Sequence, residues 1–340
     1  MTEVAVVILN YNGRNFLKQF LPSVIECSGN AKIIVADNAS TDDSIQLIES
    51  EFASIVEVIK IERNRGYCGG YNYALNKIEA EYFVLLNSDV EVTKGWIEPI
   101  ITLFKSDSSI AAAQPKIVSY YEKNKFEYAG AAGGFIDALG YPFCRGRIFS
   151  HIEEDQGQYN DVRQVFWATG ACLFIKAEIF NKIGGLDEDF FAHMEEIDLC
   201  WRLNRAGYKV YYHGLSKVYH VGGGTLSSSN PRKTHLNFRN GLSLLIKHLA
   251  PAELLWKLPV RLILDWFAAG LYLVSRRPAN AKAVFSAHLD FFKNCISDFA
   301  KRKTIAKEIG GFQVDGIYRG IIPFQYYLLK KRTFGELDKF

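Results

Sequence analysis

The strongest constraint on the fold is an alternation of short apolar runs with helix-compatible stretches between residues 4 and 86. The apolar runs cover residues 4–9, 32–36, 55–61 and 82–86, and the helices predicted between them cover 15–25, 42–50 and 70–78. Apolar strands that alternate with helices predict a sheet covered on both faces. Ligands of such sheets bind beyond the carboxyl ends of the strands. We therefore expect a binding edge at the polar clusters 37–42 and 87–89.

The rest of the chain divides into a less regular middle and a helical end. The middle predicts one interrupted strand over 165–176 and a helix over 195–206, whereas the pattern from residue 231 onward is helical. With 340 residues, of which 49% are hydrophobic, the chain is long and apolar enough to bury a large core. We predict an α/β catalytic domain over 1–230 and a basic, mainly helical region over 231–340.

Charge is distributed unevenly between these two regions. Residues 1–230 contain 21 Lys and Arg against 29 Asp and Glu, a net charge of −8, whereas residues 231–340 contain 19 against 8, a net charge of +11. Such an asymmetry between two parts of a chain suggests two different tasks. The positive balance of residues 231–340 favours contact with an anionic membrane.

Cysteine usage and the first residues indicate the compartment. The six cysteines are scattered and form no CxxC pair, which argues against a cysteine-based zinc site and against a disulfide framework. The first apolar run is short and follows Glu3, so it predicts a β-strand rather than a signal peptide. We therefore expect a cytoplasmic protein.

The segment 254–274 is strongly apolar but carries charges. Lys257, Arg261 and Asp265 are spaced by four residues and therefore share one face of a helix, and Pro259 lies among them. A membrane-spanning helix carries few or no charges over about 20 residues, so an interfacial amphipathic helix fits better. A helix packed on the catalytic domain fits equally well at this point.

Three polar segments at strand ends are candidate ligand sites. Asp37 begins a cluster of polar residues that suits either a nucleotide contact or a helix cap. The segment 63–72 is rich in glycine and precedes a helix, which suits a phosphate or an ordinary turn, and it matches neither GxGxxG nor a P-loop. Asp89 ends an apolar run; magnesium and manganese are typically held by one or two carboxylates and the phosphates of a substrate, although a simple turn is also compatible.

Acidic residues cluster between positions 187 and 198. Glu195 and Asp198 share one face of the predicted helix, whereas Glu196 points elsewhere. Clustered carboxylates repel one another and raise a pKa, as a general base requires, although a solvated helix start remains an alternative. His220 follows in the chain, and it is suited to bind a metal or to fill a structural position.

Taken together, these segments resemble glycosyltransferase family 2, in the branch that includes rhamnosyltransferase-like enzymes. The resemblance covers about residues 4–245. It rests on the order and spacing of VVILNYNG, VADNASTDDS, RNRGYCGGYN, LLNSDVEVTKGW, ATGACLFIKAEIFNKIGGLDEDFF, MEEIDLCWRLNRAGYKV and HVGGGT. Each motif is weak alone, but their order is highly specific.

The resemblance implies a GT-A fold, in which a Rossmann-like nucleotide-binding domain has a mixed, mainly parallel sheet, here followed by the C-terminal helical region. It implies that Asp37 binds the base, that Asp89 is the metal-binding acid of a D-x-D type motif, and that His220 joins the metal or the diphosphate. The donor-binding residues expected within these motifs are Asn10, Asn12, Asp37, Asn64, Gly66, Asn72, Asn87 and Ser88.

Two positions depart from the family pattern. Asn87 stands where many members have the first Asp, which leaves Asp89 as the main carboxylate ligand. Glu196 falls where the family places its catalytic base, although Asp is common there. Glu195 therefore remains a rival for the base, and Asp198 completes the candidate catalytic cluster.

The implied activity is that of an inverting, metal-dependent hexosyltransferase that uses Mg²⁺ or Mn²⁺. The resemblance suggests dTDP-rhamnose or a UDP-sugar as donor and a glycan or lipid-linked acceptor in surface polysaccharide synthesis. No nucleic-acid partner is expected. The basic region 231–340 suggests peripheral contact with the inner face of the cell membrane, and an oligomer is compatible with the sequence.

Two other classes of protein remain as alternatives. A nucleotidyltransferase on the same fold would carry a glycine-rich, basic loop after the first strand, where this chain offers only Arg14. A non-catalytic carbohydrate-binding scaffold would have lost Asp89 or the acidic cluster at 195–198, and neither is lost.

Overall fold

In the computed structural model of the chain, residues 2–222 and 230–337 are described; residues 223–225 of the HVGGGT motif lie outside them. The first elements follow the predicted alternation: β1 (Thr2–Asn10), α1 (Arg14–Cys27), β2 (Lys32–Asp37), α2 (Ser44–Glu51), β3 (Val56–Lys60), α3 (Gly66–Leu75) and β4 (Ala80–Asn87). Helix α3 begins four residues before the predicted start at 70. Asn64 explains this early start, because its Oδ1 accepts the Gly66 N–H at 2.8 Å and satisfies a free donor of the first turn.

The middle of the chain adds a second, smaller sheet. Its elements are β5 (Val90–Val92), α4 (Glu98–Ser106), β6 (Ile110–Ser119), β7 (Gly134–Asp137), β8 (Pro142–Cys144), β9 (Arg147–Ile148), β10 (His151–Ile152), β11 (Val162–Val165), β12 (Cys172–Lys176), α5 (Ala177–Lys182), the 3-10 turn Glu188–Phe190, α6 (Glu195–Arg205) and β13 (Lys209–His220). The interruption predicted in the strand over 165–176 is present, but it separates two strands, β11 and β12, that have different neighbours. The Thr169 N–H is bound by the Gln114 side chain at 3.0 Å, and the chain changes neighbours there, so that β11 pairs with β13 and β12 pairs with β4 and β6.

The C-terminal region is mainly helical, as predicted. It contains α7 (Pro231–His248), α8 (Pro251–Val274), α9 (Pro278–Glu308), β14 (Ile317–Tyr318), α10 (Ile322–Tyr327) and the 3-10 turn Phe334–Glu336. Strand β14 pairs in parallel with β7 and completes the smaller sheet, whose order in the described residues is β10-β9-β8-β7-β14.

The described residues form a nine-stranded main sheet in the order β11-β13-β6-β12-β4-β1-β2-β3, with β5 paired to β13. Strand β1 runs parallel to both β2 and β4, and six of these nine strands point the same way, which confirms the mixed, mainly parallel sheet. The register places Asn10 opposite Asp37 and Leu9 opposite Asn87. The carboxyl ends of β1, β2 and β4 therefore meet at one edge, where the sequence predicted the binding site.

Two hydrophobic clusters cover the two faces of the main sheet. Val7 and Leu85 lie in one cluster, and their neighbours Val6 and Val84 lie in the other. Because successive side chains of a strand point to opposite faces, strands buried on both sides must be apolar at every position. This explains why the predicted strands are unbroken apolar runs.

The C-terminal region shares the core of the catalytic part. Leu244 and Leu245 of α7 belong to the same hydrophobic cluster as Val7 of the sheet, and so does Tyr318 of β14. A buried polar group also joins the two parts, because the Asp198 carboxylate contacts the side chains of Arg202, Lys247 and His248 at 2.8, 2.6 and 2.9 Å. The hydrophobic core therefore extends across the domain boundary predicted at residue 230.

Helix α8 packs with its charged face inward. Lys257, Arg261 and Asp265 are all buried, whereas Trp266 and Phe267 are 57% and 68% exposed. Arg261 lies 3.7 Å from the centre of the Tyr141 ring and donates to the Leu139 carbonyl at 2.9 Å. The charge row is therefore the packing face, and the apolar residues point away from the protein.

Among the described residues, no helix is both long enough and apolar enough to cross a membrane.

Replacing Asp198 by Ala should destabilise the fold strongly, because it removes the buried carboxylate that pairs with both Arg202 and Lys247. Breaking a buried ion pair in this way costs about 3–5 kcal/mol. As the control, Glu49→Ala removes the exposed Glu49–Lys60 pair, which is worth about 0–1 kcal/mol. The free energy of unfolding in urea measures both losses. Equal losses in the two variants would show that Asp198 does not join α6 to α7 energetically.

Candidate functional site

The ends of β1 and β2 carry a preformed polar network. Asn10 Nδ2 donates to Asp37 Oδ1 at 3.0 Å and to Ser40 Oγ at 3.1 Å, and Asp37 Oδ2 accepts the Ser40 N–H at 3.0 Å. Asn12, whose φ is +54°, accepts the Thr41 N–H on Oδ1 at 2.7 Å. Among the described residues the buried Asn10 Oδ1 has no hydrogen-bond partner. The structure thus brings the predicted donor residues Asn10, Asn12 and Asp37 together around a free acceptor.

Asn38 joins this network to the glycine-rich segment, a link that the sequence analysis missed. Its Nδ2 donates to Asn64 Oδ1 at 3.1 Å and to the Gly66 carbonyl at 2.9 Å, and its Oδ1 accepts the Arg65 N–H at 2.9 Å. The amide therefore fixes the position of Asn64 and Gly66 relative to Asp37. Its place directly after Asp37 was the only signal that the sequence offered.

The glycine-rich segment packs against the segment that precedes α6. Gly66 has a φ of +71°, and a Cβ placed on it would lie 2.6 Å from the Phe191 ring. Asn72 bonds Leu186 twice, donating to its carbonyl at 2.8 Å and accepting its N–H at 3.0 Å. The described contacts of Gly66 and Asn72 are therefore internal, and their donor-binding roles remain predictions.

The end of β4 lies beside the same network. The Asn87 N–H donates to the Ala171 carbonyl at 3.0 Å, and a Cβ on Gly13 would lie 3.4 Å from Ser88 Oγ and 2.4 Å from Asn10 Oδ1. Next to Ala171, a Cβ on Gly170 would lie 3.8 Å from Glu195 Oε1. The stretch 170–171 thus contacts both the end of β4, two residues before Asp89, and the surroundings of Glu195.

Asp89, His220 and Glu127 form a buried row. His220 Nε2 lies 3.2 Å from Asp89 Oδ1, and Nδ1 lies 3.0 Å from Glu127 Oε2. Burial opposes a charge on the ring, but the two carboxylates outweigh it and raise the pKa of His220 to about 10. The two carboxylates therefore stabilise a positive charge on the ring that lies between Asp89 and Glu127. Glu127 was missed because it stands alone in its sequence neighbourhood, with no motif around it.

This row fits a divalent metal held by few protein ligands. Asp89 offers a carboxylate oxygen, and His220 offers Nε2 once it loses its proton. Metal-binding histidines usually bond their second nitrogen to a carboxylate, as His220 does with Glu127. Within the described ranges, no group of three or more His, Cys, Asp or Glu is arranged to hold a metal. Oxygen ligands from a bound diphosphate would have to complete the coordination.

Two unpartnered carboxyls lie at the start of α6. Glu195 Oε2 and Glu196 Oε2 are buried and, among the described residues, have no hydrogen-bond partner. Burial raises the pKa of both side chains; the charge of Glu196 adds to the effect at Glu195, and the pKa of Glu196 rises to about 7. A carboxyl with such a pKa is suited to accept a proton near neutral pH.

The residues before this helix start have an unusual backbone. Phe191, His193 and Met194 have φ values of +62°, +68° and +72°, a region that non-glycine residues rarely adopt. Such strained residues cluster at functional sites, where the surrounding structure holds them in place. The strained backbone and the unpartnered carboxyls therefore both indicate a functional site at the start of α6.

Asp198 differs from the other two catalytic candidates. Its carboxylate is saturated by Arg202, Lys247 and His248. Burial opposes its charge, but Lys247 and Arg202 outweigh this and hold the pKa of Asp198 far below its ordinary value. The structure therefore places Asp198 behind the site, where it anchors α6, while Glu195 and Glu196 keep free oxygens.

Comparison with known proteins shows the family that the chain resembles. A family model described as glycosyl transferase family 2 matches residues 5–184. The chain is 26% identical over 209 residues to the low-salt glycan biosynthesis hexosyltransferase Agl10 of Haloferax volcanii, covering 60% of this chain and 62% of that protein. It is 26% identical over 237 residues to the N-acetylglucosaminyl-diphospho-decaprenol L-rhamnosyltransferase of Mycobacterium tuberculosis, covering 65% of this chain and 76% of that protein.

The fold has relatives of known structure. The crystal structure of GalNAc-T7 with UDP, GalNAc and Mn²⁺ superimposes with a TM-score of 0.58 at 17% identity, covering 91% of this chain and 58% of that one. This likeness confirms the predicted GT-A fold.

Replacing Glu127 by Gln should weaken the binding of Mn²⁺ in the presence of UDP by about 10- to 100-fold, the usual effect of losing an outer carboxylate partner. The neutral amide accepts the Nδ1–H of His220 less strongly, so the ring is oriented less firmly. The control is Glu122→Gln, which alters an exposed ion pair with Lys125. Calorimetric titration measures both. Unchanged affinity in Glu127→Gln would exclude the orienting role.

Proposed function

This chain belongs to glycosyltransferase family 2, and from that premise we propose that it transfers a hexosyl residue from a nucleotide-diphosphate sugar to an acceptor hydroxyl with inversion. The observation that carries the proposal is the partly buried Glu196 carboxyl, which has an unpartnered oxygen and a pKa of about 7 beside the donor edge. One base suffices for a direct displacement, which forms no covalent glycosyl-enzyme, unlike the paired carboxylates of retaining hydrolases.

The proposed reaction is one displacement at the anomeric carbon. Glu196 accepts the proton of the acceptor hydroxyl, whose oxygen forms a bond to the anomeric carbon from the face opposite the diphosphate. The bond from that carbon to the diphosphate oxygen breaks, and the nucleoside diphosphate leaves with the electron pair. Glu195 lies next to the base, and burial together with the charge of Glu196 raises the pKa of Glu195.

The donor is proposed to lie along the ends of β1, β2 and β4. Asp37 is the proposed contact for the base, held in place by Asn10 and Ser40. Asp89 and His220 are the residues that would hold Mg²⁺ or Mn²⁺. When bound, such a cation neutralises charge on the leaving diphosphate.

The substrates are proposed from the relatives. The name of the mycobacterial relative describes transfer of L-rhamnose to a diphospho-decaprenol-linked sugar, which supports dTDP-rhamnose or a UDP-sugar as donor here. It also supports a lipid-linked or glycan acceptor in surface polysaccharide synthesis. A nucleotidyltransferase would release pyrophosphate, whereas the proposed reaction releases nucleoside diphosphate, and a non-catalytic scaffold would release neither. The product released from the donor therefore separates the three functions.

Replacing Glu196 by Gln should lower turnover by roughly 10²–10⁴-fold, the usual contribution of a general base. The affinity for the donor should stay the same, because the amide preserves the shape of the side chain. In the unaltered protein the rate should rise with pH through about 7 as Glu196 loses its proton, and this rise should be missing from the variant. If Glu195→Gln shows these losses instead, Glu195 is the base.

The C-terminal region supports a second part of the proposal, contact with an anionic membrane. Large apolar side chains are exposed on two neighbouring helices: Leu255, Trp256, Ile263, Trp266, Phe267, Leu271, Leu273 and Val274 of α8, and Phe285, Leu289, Phe292, Ile296 and Phe299 of α9. Exposed apolar surfaces of this extent mark sites of interaction with proteins or membranes. We call this surface the α8–α9 face.

The charges around the α8–α9 face favour a bilayer over a second copy of the chain. Arg276, Lys282 and Lys303 are exposed beside it. In a symmetric dimer through this face, the cations of the two copies would surround one interface and repel one another, whereas an anionic lipid surface attracts them by about 1 kcal/mol each. Contact of this kind would hold the site next to a lipid-linked acceptor at the inner face of the cell membrane.

Replacing Trp266 and Phe267 together by Glu should release the protein from vesicles of phosphatidylglycerol and phosphatidylcholine, because it adds charge to the centre of the α8–α9 face. The control is Leu215→Glu, at a residue of β13 that is 70% exposed. Binding of the unaltered chain should also weaken as salt screens the basic residues. Sedimentation with vesicles measures both effects.

If the unaltered chain stays in the supernatant at low salt, the membrane contact is excluded. If the double substitution instead dissociates an oligomer in size-exclusion chromatography, the α8–α9 face is an interface between copies.

A further inference from the structure

Helix α7 binds, from one side, the residues just before α6, the helix that carries Glu195 and Glu196. Two adjacent side chains of α7, Arg239 and Asn240, donate hydrogen bonds to main-chain carbonyls in this segment, which we call the pre-helix segment (residues 189–193). Arg239 donates to the carbonyls of 189 and 190 at 2.7 and 3.3 Å. Asn240 Nδ2 donates to those of 190, 192 and 193 at 3.1, 3.0 and 2.6 Å.

The opposite side of the pre-helix segment is held by the glycine-rich segment. The remaining carbonyl, that of Phe191, accepts the N–H groups of Tyr67 and Cys68 at 2.9 and 3.4 Å. The Phe191 ring packs on Gly66, where no Cβ would fit. Every carbonyl of the pre-helix segment is thus bound, that of Phe191 by the glycine-rich segment and the other four by α7.

This arrangement explains how the strained backbone persists. Phe191 and His193 lie inside the pre-helix segment with positive φ, and Met194 follows with the same geometry. A backbone of this kind persists only where its surroundings hold it. The direction in which Glu195 and Glu196 leave the start of α6 therefore depends on the hydrogen bonds to the pre-helix segment.

We infer that Asn240, supported by Arg239, is a positioning residue for the base. The inference rests on the proposed function, in which Glu196 accepts the proton of the acceptor. Asn240 does not touch the reacting atoms; it sets the path of the chain that carries Glu196. The region 231–340 accordingly completes the catalytic site, although every predicted catalytic and metal-binding residue precedes it.

The chemistry of Asn240 separates positioning from simple packing. The side chain is fully buried, and its two N–H groups are shared among three carbonyls, whereas its Oδ1 has no hydrogen-bond partner among the described residues. Asp has the same shape but offers no donor to a carbonyl when it is ionised. An Asn240→Asp protein would therefore keep the packing and lose the hydrogen bonds.

The test compares full-length variants with a donor that the unaltered protein turns over, found in a panel of dTDP-rhamnose and UDP-hexoses. Asn240→Ala should lower kcat by about 10²-fold, the scale of a 1 Å misplacement of a reacting group. The KM for the donor and the affinity for UDP with Mn²⁺ should stay unchanged. Asn240→Asp should lose at least as much. Arg239→Ala should lose less, because Asn240 keeps three hydrogen bonds.

The matched control is Asn237→Ala, on the same helix, since Asn237 makes no hydrogen bond to the pre-helix segment within the described part of the chain. It should turn over the donor like the unaltered protein. Undiminished kcat in Asn240→Ala, full activity in Asn240→Asp, or a loss confined to donor KM would each overturn the inference.

If the Asn240 variants do not fold, the Arg239→Ala protein provides the test. A lowered kcat with unchanged donor KM supports the positioning role, and an unchanged kcat overturns it. Absence of transfer by the unaltered protein would instead overturn the proposed function, and the role of Glu196 with it.

Discussion

The buried carboxylate of Asp198 connects the parts of this protein on which the site depends. It contacts Arg202 in its own helix and Lys247 and His248 of α7. Arg202 in turn donates to the carbonyls of Ile183 and Gly185 at 2.8 Å each. A charge removed from water in this way is tolerated only when several partners surround it. The interaction thus fixes where α6 begins relative to α7, and hence where the pre-helix segment can lie.

The sequence predicted the parts of the fold that depend on local pattern. Unbroken apolar runs identified β1, β2, β3 and β4, which run parallel to one another. Polar residues at their ends identified the edge where Asn10, Asp37 and Asp89 lie. These predictions succeed because a strand buried on both faces must be apolar throughout. The connection between β11 and β12 was missed because the Gln114 side chain that turns the chain there lies 55 residues away.

Other features could not be predicted because they depend on contacts between distant residues. Glu127 reaches His220 across 93 positions of the chain, and Asn240 reaches the pre-helix segment across about 50. The sequence also did not predict which face of α8 packs against the protein. The spacing of Lys257, Arg261 and Asp265 established a charged face, but only the partners Tyr141 and His288 show that this face is buried. Periodicity separates two faces of a helix without saying which one meets the protein.

The pairing of β14 with β7 has a consequence for synthesis on the ribosome. Ile136 of β7 pairs with Ile317, which is synthesised 181 residues later. The main sheet contains no strand beyond His220 in the described part of the chain, so it can assemble while the C-terminal helices are still being translated. The smaller sheet cannot be completed until β14 is made, and the contact between the rings of Phe143 and Tyr318 cannot form before then. During that interval the nascent chain exposes an unfinished apolar surface, the kind of surface that chaperones bind.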